Sequence, residues 1–137
     1  MRIYPSTRFV YRNGSTILQA RIELLDDMSD SVKSSGQIFF ELYGISGGGG
    51  VATPKSLYSW SVAVRTRDDQ ISFYEPVVRA YLFRLSLSEH WPPKRQAKLR
   101  VLFTPNQGRR LETSSVLVGK PIRVNKTSIP IFDVPPS

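Results

Sequence analysis

Residues 78–104 read VRAYLFRLSLSEHWPPKRQAKLRVLFT, and this stretch decides the fold. Apolar residues recur at every second position in 81–87 and again in 99–103, with polar residues between them. Because successive side chains of a β-strand point to opposite faces, this alternation is typical of strands with one buried face. We therefore predict two half-buried strands, joined as a hairpin by the proline-containing turn at 89–93.

The rest of the chain repeats this pattern between turn-forming residues. Further long strands are predicted at 16–26, 37–43, 57–65 and, with mixed facing, 110–118. The only helical signal is the pair Asp68 and Asp69, which can cap a single helical turn. Seven to eight strands without a long amphipathic helix predict an all-β fold, an antiparallel β-sandwich of immunoglobulin-like or C2-like topology.

The predicted core combines the inward faces of these strands. Alternation leaves no other way to cover so much apolar surface. We expect the following residues to be buried together: Leu24, Phe40, Trp60, Tyr81, Phe83, Leu85, Leu99, Val101 and Phe103.

A chain of 137 residues suits one domain with its own core. We divide it into an N-terminal edge segment at 1–15, a β-sandwich domain at 16–118 and an extended C-terminal segment at 119–137. The last segment contains several prolines, which disfavour regular strand pairing.

The chain carries a formal net charge of +8, which suits an anionic partner such as nucleic acid or an anionic lipid surface. The basic residues are scattered, and the local concentrations are Lys94, Arg95, Lys98, Arg100, Arg109 and Arg110. The predicted hairpin and the turn after it can gather these six into a binding site for an anionic partner, and a solvated face is the alternative. Because no nucleic-acid-binding signature accompanies them, a protein partner or self-assembly is favoured over nucleic acid.

The residue inventory excludes several kinds of reactive site. The chain has no cysteine and a single histidine, His90, so it cannot form a thiolate zinc site or a multi-histidine metal site by itself. We predict a protein that is not an enzyme and needs no cofactor or small-molecule substrate. The weak candidates for a calcium site of the C2 type are Asp26, Asp27, Asp30, Asp68 and Asp69. Turn capping by aspartate is favoured for these acids, because the ligand spacing of an EF-hand is absent.

Outward-facing apolar residues suggest a second kind of surface. Phe39 and Tyr43 lie on the outer side of their strand, and Val116 and Val118 lie opposite the inward residues of theirs. We predict a partner face formed by these four residues. The alternative is that the tail from Ile122 onward folds over them.

Neither a membrane span nor an export signal is visible in the sequence. There is no run of about 18 apolar residues, and the first residues are not followed by an apolar signal-peptide core. Contact with a membrane would then be peripheral or through a removed leader. The expected location is the cell envelope or periplasm if a leader precedes this chain, and the cytoplasm if the numbering starts at the native N-terminus.

Several stretches resemble a β-sandwich domain of uncharacterised, secreted and often lipid-anchored bacterial envelope proteins. The similarity covers about 16–118 and is carried by 20–27, 30–33, 36–43, 79–85, 99–105 and 108–111. Members of that group have an acidic, glycine-rich turn before the first long strand, where this chain has Arg12, Asn13, Gly14 and Ser15. The resemblance implies export and brings no catalytic residue. It favours a non-catalytic structural or protein-interaction module of the cell envelope, as part of a larger assembly. The alternative is a basic-surface module for nucleic acid or anionic lipid.

Overall fold

The computed structural model describes residues 1–12, 14–44, 55–87, 96–118, 122–123 and 133–137. The secondary structure in these ranges consists of eleven β-strands and one short helix. In chain order they are β1 (Arg2–Ile3), β2 (Arg8–Arg12), β3 (Ser15–Leu25), β4 (Ser31–Val32), β5 (Gly36–Gly44), β6 (Lys55–Val64), α1 (Arg67–Phe73), β7 (Tyr74–Glu75), β8 (Ala80–Ser86), β9 (Gln96–Pro105), β10 (Leu111–Val118) and β11 (Ile122–Arg123).

The strands form two sheets that pack face to face. The larger sheet has the order β11, β2, β3, β8, β7, and β1 and β4 also pair with β3. The smaller sheet has the order β10, β9, β5, β6. The named strands pair in the antiparallel sense apart from β2 with β11, which is parallel. The predicted all-β antiparallel sandwich is therefore confirmed, and its finer assignment as immunoglobulin-like or C2-like stays a prediction.

Inward side chains from both sheets make one core. The ring of Phe40 in β5 lies 5.3 Å from the ring of Phe83 in β8, measured between centroids. The indole N–H of Trp60 in β6 donates a hydrogen bond to the carbonyl oxygen of Ser86 in β8, at 2.9 Å. All nine residues of the predicted core are at most 3% exposed. Alternation therefore identified the inward face of each strand correctly.

The predicted hairpin between the strands at 81–87 and 99–103 is wrong. Strand β8 pairs with β3 and β7 in the larger sheet, whereas β9 pairs with β5 and β10 in the smaller one. The physical reason is that both strands have strongly apolar faces, and these faces cover each other best from opposite sides of the core. The residues between the two strands, 88–95, lie outside the described ranges.

The structure has more strands than the seven to eight predicted. Four of its strands, β1, β4, β7 and β11, contain two residues each, too few for an alternating pattern to be recognised. A helix is present where a single turn was predicted, but α1 has seven residues, about two turns, and neither Asp68 nor Asp69 is its N-cap. Its N-cap is Thr66, whose hydroxyl accepts a hydrogen bond from the backbone of Asp69, and Asp69 in turn accepts from the backbone of Thr66.

Both ends of the chain extend the larger sheet. In the predicted edge segment 1–15, β1 and β2 pair with β3, and β2 lies between β3 and β11. Residues 133–137 lie beside β8, where Val134 forms a parallel bridge with Leu85. The same five residues reach the smaller sheet, because the backbone N–H of Ser137 donates to the carbonyl oxygen of Ser59 at 2.8 Å.

Candidate functional site: the outer face of the smaller sheet

The predicted partner-face residues with described side chains lie on the same side of the smaller sheet. Here the outer face means the side chains between 39 and 43 in β5, 98 and 102 in β9, and 112 and 116 in β10 that point away from the core: Phe39, Glu41, Tyr43, Lys98, Arg100, Leu102, Glu112, Ser114 and Val116. The register places Val116 opposite Lys98 and Lys98 opposite Tyr43, in one row across three strands. Phe39 lies opposite Leu102 in a second row. Val118 pairs with Gln96 through its backbone, and its side chain lies outside the described part of the structure.

The apolar residues of the outer face remain accessible at the surface. Val116 is 53% exposed on β10, while Phe39, Tyr43 and Leu102 are half-buried. Opposed side chains in neighbouring strands lie about 5 Å apart at their Cβ atoms, so members of a row shield one another in part. Lys98 lies between Val116 and Tyr43 and is exposed. The result is a surface with apolar and charged residues in adjoining rows.

The described parts of the tail lie away from the outer face. Strand β11 pairs with β2 of the larger sheet, and residues 133–137 contact β8 and the backbone of Ser59 in β6. The alternative in which the tail covers Phe39 and Val116 therefore receives no support from these seven residues. Residues 124–132 lie outside the described ranges.

A network of charged groups crosses the outer face. The guanidinium of Arg100 lies 3.5 Å from the carboxylate of Glu41 on one side, and its Nε donates a hydrogen bond to Glu112 on the other. The Tyr43 hydroxyl donates to Glu41. The hydrogen bond between Arg100 and Glu112 raises the pKa of Arg100 and lowers the pKa of Glu112. Donation to Glu41 raises the pKa of Tyr43. Two carboxylates therefore contact one guanidinium, and the three groups together carry a formal net charge of −1.

This network changes the prediction of a basic binding site. Arg100 is already engaged by two acids, and the charges of Arg110 and Lys98 also help to lower the pKa of Glu112. Arg109 and Arg110 are exposed in the turn between β9 and β10. Lys94 and Arg95 lie outside the described residues. The structure thus brings Lys98, Arg100 and Arg110 near Glu112. The hairpin that was expected to gather all six basic residues is absent, since β8 and β9 lie in different sheets.

Two of the five candidate calcium ligands, Asp26 and Asp69, cap a turn and a helix. The Asp26 side chain accepts hydrogen bonds from the backbone N–H groups of Met28 and Asp30, at 2.9 and 3.0 Å. Asp69 accepts from the backbones of Arg65 and Thr66, and these bonds lower its pKa. In the ranges that the structure describes, no three histidine, cysteine, aspartate or glutamate side chains form a group able to hold a metal ion. Asp27 and Asp68 are exposed.

Sequence reasoning missed a cluster around Glu23, which is only 8% exposed. Its carboxylate accepts hydrogen bonds from the hydroxyls of Tyr4 and Ser31, at 2.8 and 2.5 Å, and lies 3.3 Å from Arg2. Burial alone would raise the pKa of Glu23, but the two hydroxyl donors and the nearby arginine charges outweigh burial and lower it. The cluster ties β1 and β4 to β3. A mid-strand Glu, with an Arg in β1 and a Tyr just after β1, is too common a pattern to have identified the cluster.

A shallow depression of about 630 Å³ lies beside this cluster, lined by Tyr4, Pro5, Ser6, Arg21, Glu75 and Val78. Its two charged side chains neutralise each other, since Arg21 Nε lies 3.0 Å from a carboxylate oxygen of Glu75. The hydroxyl of Tyr4 has one proton to donate, and both Glu23 and the carbonyl oxygen of Val78 lie within hydrogen-bond distance of it, at 2.8 and 2.9 Å. These groups already have partners, so the depression is a weaker candidate site than the outer face.

Comparison with protein-family models, curated proteins and solved structures finds no match for this chain. The resemblance to bacterial envelope domains therefore stays an expectation. No helix in the described ranges has the length and apolarity needed to cross a bilayer.

Proposed function

We propose that this chain is a non-catalytic β-sandwich module of the bacterial cell envelope that binds another protein, or builds an assembly, through the outer face of the smaller sheet. The observation that carries the proposal is the pair of rows in which Phe39, Tyr43, Leu102 and Val116 lie on the same side of three adjacent strands. Protein interfaces favour aromatic residues in their centre and charged residues at their rim. The outer face offers both within one small surface.

The charged residues of this face fit a protein partner better than a polyanion. Arg100 is already paired with Glu41 and Glu112, so a partner that covers the face does not bury an isolated guanidinium. A phosphate group would instead have to displace one of these carboxylates from the guanidinium. Lys98 and the arginines at 109–110 supply positive charge that can guide an acidic partner towards the face.

Two further observations support the non-catalytic role and the envelope location. The absence of cysteine and the single histidine support a non-catalytic role, because most nucleophilic and metal-dependent sites use these residues. The envelope location is supported by the sequence resemblance over 16–118. A basic-surface module for nucleic acid or anionic lipid is the alternative, and the net charge of +8 is what favours it.

The test combines crosslinking and pull-down from separate envelope and cytosolic fractions with light scattering on the purified chain. Val116→Glu places a charge on the outer face, and the matched control is Val77→Glu, at a residue that is 96% exposed in the turn before β8. We expect the parent and Val77→Glu to recover the same envelope protein or the same assembly, and Val116→Glu to lose it.

Other outcomes contradict the proposal. Exclusive recovery of nucleic acid, retention of the native protein in the cytosol, or equal recovery by both variants would each exclude it. Salt-dependent shift of a labelled oligonucleotide and sedimentation with anionic liposomes then separate the two forms of the basic-surface alternative.

A further inference from the structure

Strand β10 forms an open edge of the smaller sheet. It pairs with β9 on one side, and among the described residues no strand pairs with it on the other. Alternate N–H and C=O groups along its eight residues therefore point away from β9, and these are the groups with which an edge strand binds another strand. Strand β1 of the larger sheet approaches β10, but it pairs with β3 and has two residues. It is too short to cover the edge of β10.

The other strands at the ends of the two sheets are short or interrupted. Strands β11 and β7, which end the larger sheet, have two residues each. Strand β6, at the other end of the smaller sheet, has an irregular register with Leu42 and Tyr43 of β5, and the carbonyl oxygen of Ser59 in β6 accepts a hydrogen bond from Ser137. Short strands and bulges limit pairing with another chain. In contrast, β10 keeps a regular register with β9 along its whole length and contains no proline or lysine.

The inward side of β10 is nearly symmetric in residue type about Ser114. Two antiparallel copies of β10, related by a two-fold axis at Ser114, place Leu111 of one copy opposite Leu117 of the other. The same axis places Thr113 opposite Ser115. All four residues pair with core residues of β9, so they lie on the inward side of the sheet. An apolar pair and a hydroxyl pair are both favourable between neighbouring strands, and the axis repeats each of them.

The outward side of β10 is complementary in charge when the axis lies at Ser114. Glu112 then lies opposite Val116 of the second copy, and the row neighbour of Val116 is the exposed Lys98. The long side chains of Glu112 and Lys98 can meet across this valine, once on each side of the axis. The net charge of +8 opposes the approach of two copies, but physiological salt screens exposed charges beyond about 8 Å. The contact itself therefore brings opposite charges together.

Other registers lose this match. With the axis at Thr113, Leu111 would lie opposite Ser115, and with the axis at Ser115, Thr113 would lie opposite Leu117. Both registers leave a leucine against a hydroxyl side chain. An axis between two residues would set inward side chains opposite outward ones. The sequence of β10 thus favours one self-pairing register, and a contact between identical patches requires such self-complementarity.

We propose that two copies of this chain associate through β10, antiparallel and centred on Ser114, so that their two four-stranded sheets join into one sheet of eight strands. The contact closes at two copies, because each β10 then has a strand on both sides. The two-fold axis is perpendicular to the joined sheet, so the outer faces of both copies lie on the same side. This association uses the backbone of β10 and goes beyond binding through the outer face.

Engineered disulfides test the register directly, because the chain has no cysteine of its own. Opposed residues of antiparallel strands have Cα atoms about 4.5 to 5.5 Å apart, within the range of a disulfide. Ser114→Cys should therefore form a disulfide-linked homodimer. A mixture of Glu112→Cys with mass-tagged Val116→Cys should form the heterodimer in excess of both homodimers, because two copies of residue 112 lie four residues apart along the strands, about 13 Å.

Two controls separate pairing from random collision. Ser61 is exposed in β6, at the other end of the same sheet, so Ser61→Cys measures disulfide formation by collision. Ser114→Lys places two like charges at the axis and should make the parent's dimer monomeric in sedimentation, whereas Ser61→Lys should keep the dimer. Melting curves establish that each variant is folded.

Three results would each overturn the association through β10. They are a Ser114→Cys dimer no more abundant than the Ser61→Cys dimer, a heterodimer no more abundant than the homodimers, and a dimer that survives Ser114→Lys. Val116 belongs to both surfaces, so Phe39→Glu separates the two proposals: it lies on the outer face in β5, two strands from the edge. It should lose the outer-face partner and keep the Ser114→Cys dimer, so failure of this inference and failure of the outer-face proposal produce different results.

Discussion

Replacing Phe83 by alanine tests the core in its most crowded part. Phe83 is fully buried in β8, and its ring centroid lies 5.1 Å from that of Phe73, 5.3 Å from Phe40 and 6.0 Å from Tyr81. These neighbours belong to both sheets and to α1, so they cannot all move to fill the space. Truncating a buried phenylalanine to alanine leaves a cavity and lowers the free energy of unfolding by about 3 to 5 kcal/mol, and we expect about 4 kcal/mol here. With a urea slope of about 2 kcal/mol per molar, the unfolding midpoint falls by about 2 M.

The assay is urea unfolding followed by tryptophan fluorescence and circular dichroism. Trp60 is fully buried and hydrogen-bonded across the core, so with Trp91 replaced by phenylalanine in every variant its emission reports loss of contact between the sheets. The matched control is Phe39→Ala on the outer face, where the half-buried ring should contribute only about 1 kcal/mol. A midpoint for Phe83→Ala equal to that of the parent, or a larger shift for Phe39→Ala, would refute the assignment of the inward face.

Three further predictions concern polar groups and metal ions. Thr66→Ala removes the N-cap of α1 and should lower the free energy of unfolding by about 1 kcal/mol in urea titration, and an unchanged midpoint would contradict the capping role. The pKa of Glu23 is lowered in the folded state, so its contribution to stability is present above pH 4.5, its unfolded value, and is lost as the pH falls through the folded pKa. As the pH falls from above 4.5 to below the folded pKa of Glu23, the melting temperature of Glu23→Gln should therefore fall less than that of the parent. An equal fall in both chains would exclude this contribution of Glu23 to stability. Melting curves with millimolar calcium and with a chelator should coincide, because Asp26 and Asp69 already accept backbone hydrogen bonds, and a gain of many degrees with calcium would restore the C2-like metal site.

Alternation of apolar residues predicted which way the long strands face. In β5, in β9 and over residues 18–22 of β3 one side chain in two is buried, and a shift of one residue would expose the alternating apolar set. The sequence therefore specifies the register of these strands strongly, and the nine predicted core residues are buried.

Alternation did not predict which strands pair. It reports the buried side of a strand and not its neighbour, so β8 and β9 looked like a hairpin although they lie in opposite sheets. Alternation also could not predict the two-residue strands or the position of residues 133–137, because these depend on a few backbone hydrogen bonds to residues distant in sequence.

The candidate site was predictable only in part. Phe39, Tyr43 and Val116 were identified as outward residues because inward and outward positions alternate. The partners of Arg100 were missed, since Glu41 and Glu112 belong to different strands and only the pairing of β9 with both neighbours brings them to it. Arg100 is therefore less available to an anionic partner than its sequence position suggested.

The most direct test of the outer face is the affinity for the recovered partner, measured for Val116→Glu and Val77→Glu beside the parent. Both substitutions place the same charge at an exposed valine, and only the first lies on the outer face. Lys98 lies opposite Val116, but a carboxylate introduced at 116 must still lose its water when a partner covers the outer face, so Val116→Glu should weaken binding by roughly tenfold or more, which corresponds to about 1.4 kcal/mol. We expect that loss for Val116→Glu and the parent's affinity for Val77→Glu. Equal affinity of all three chains would contradict binding through the outer face.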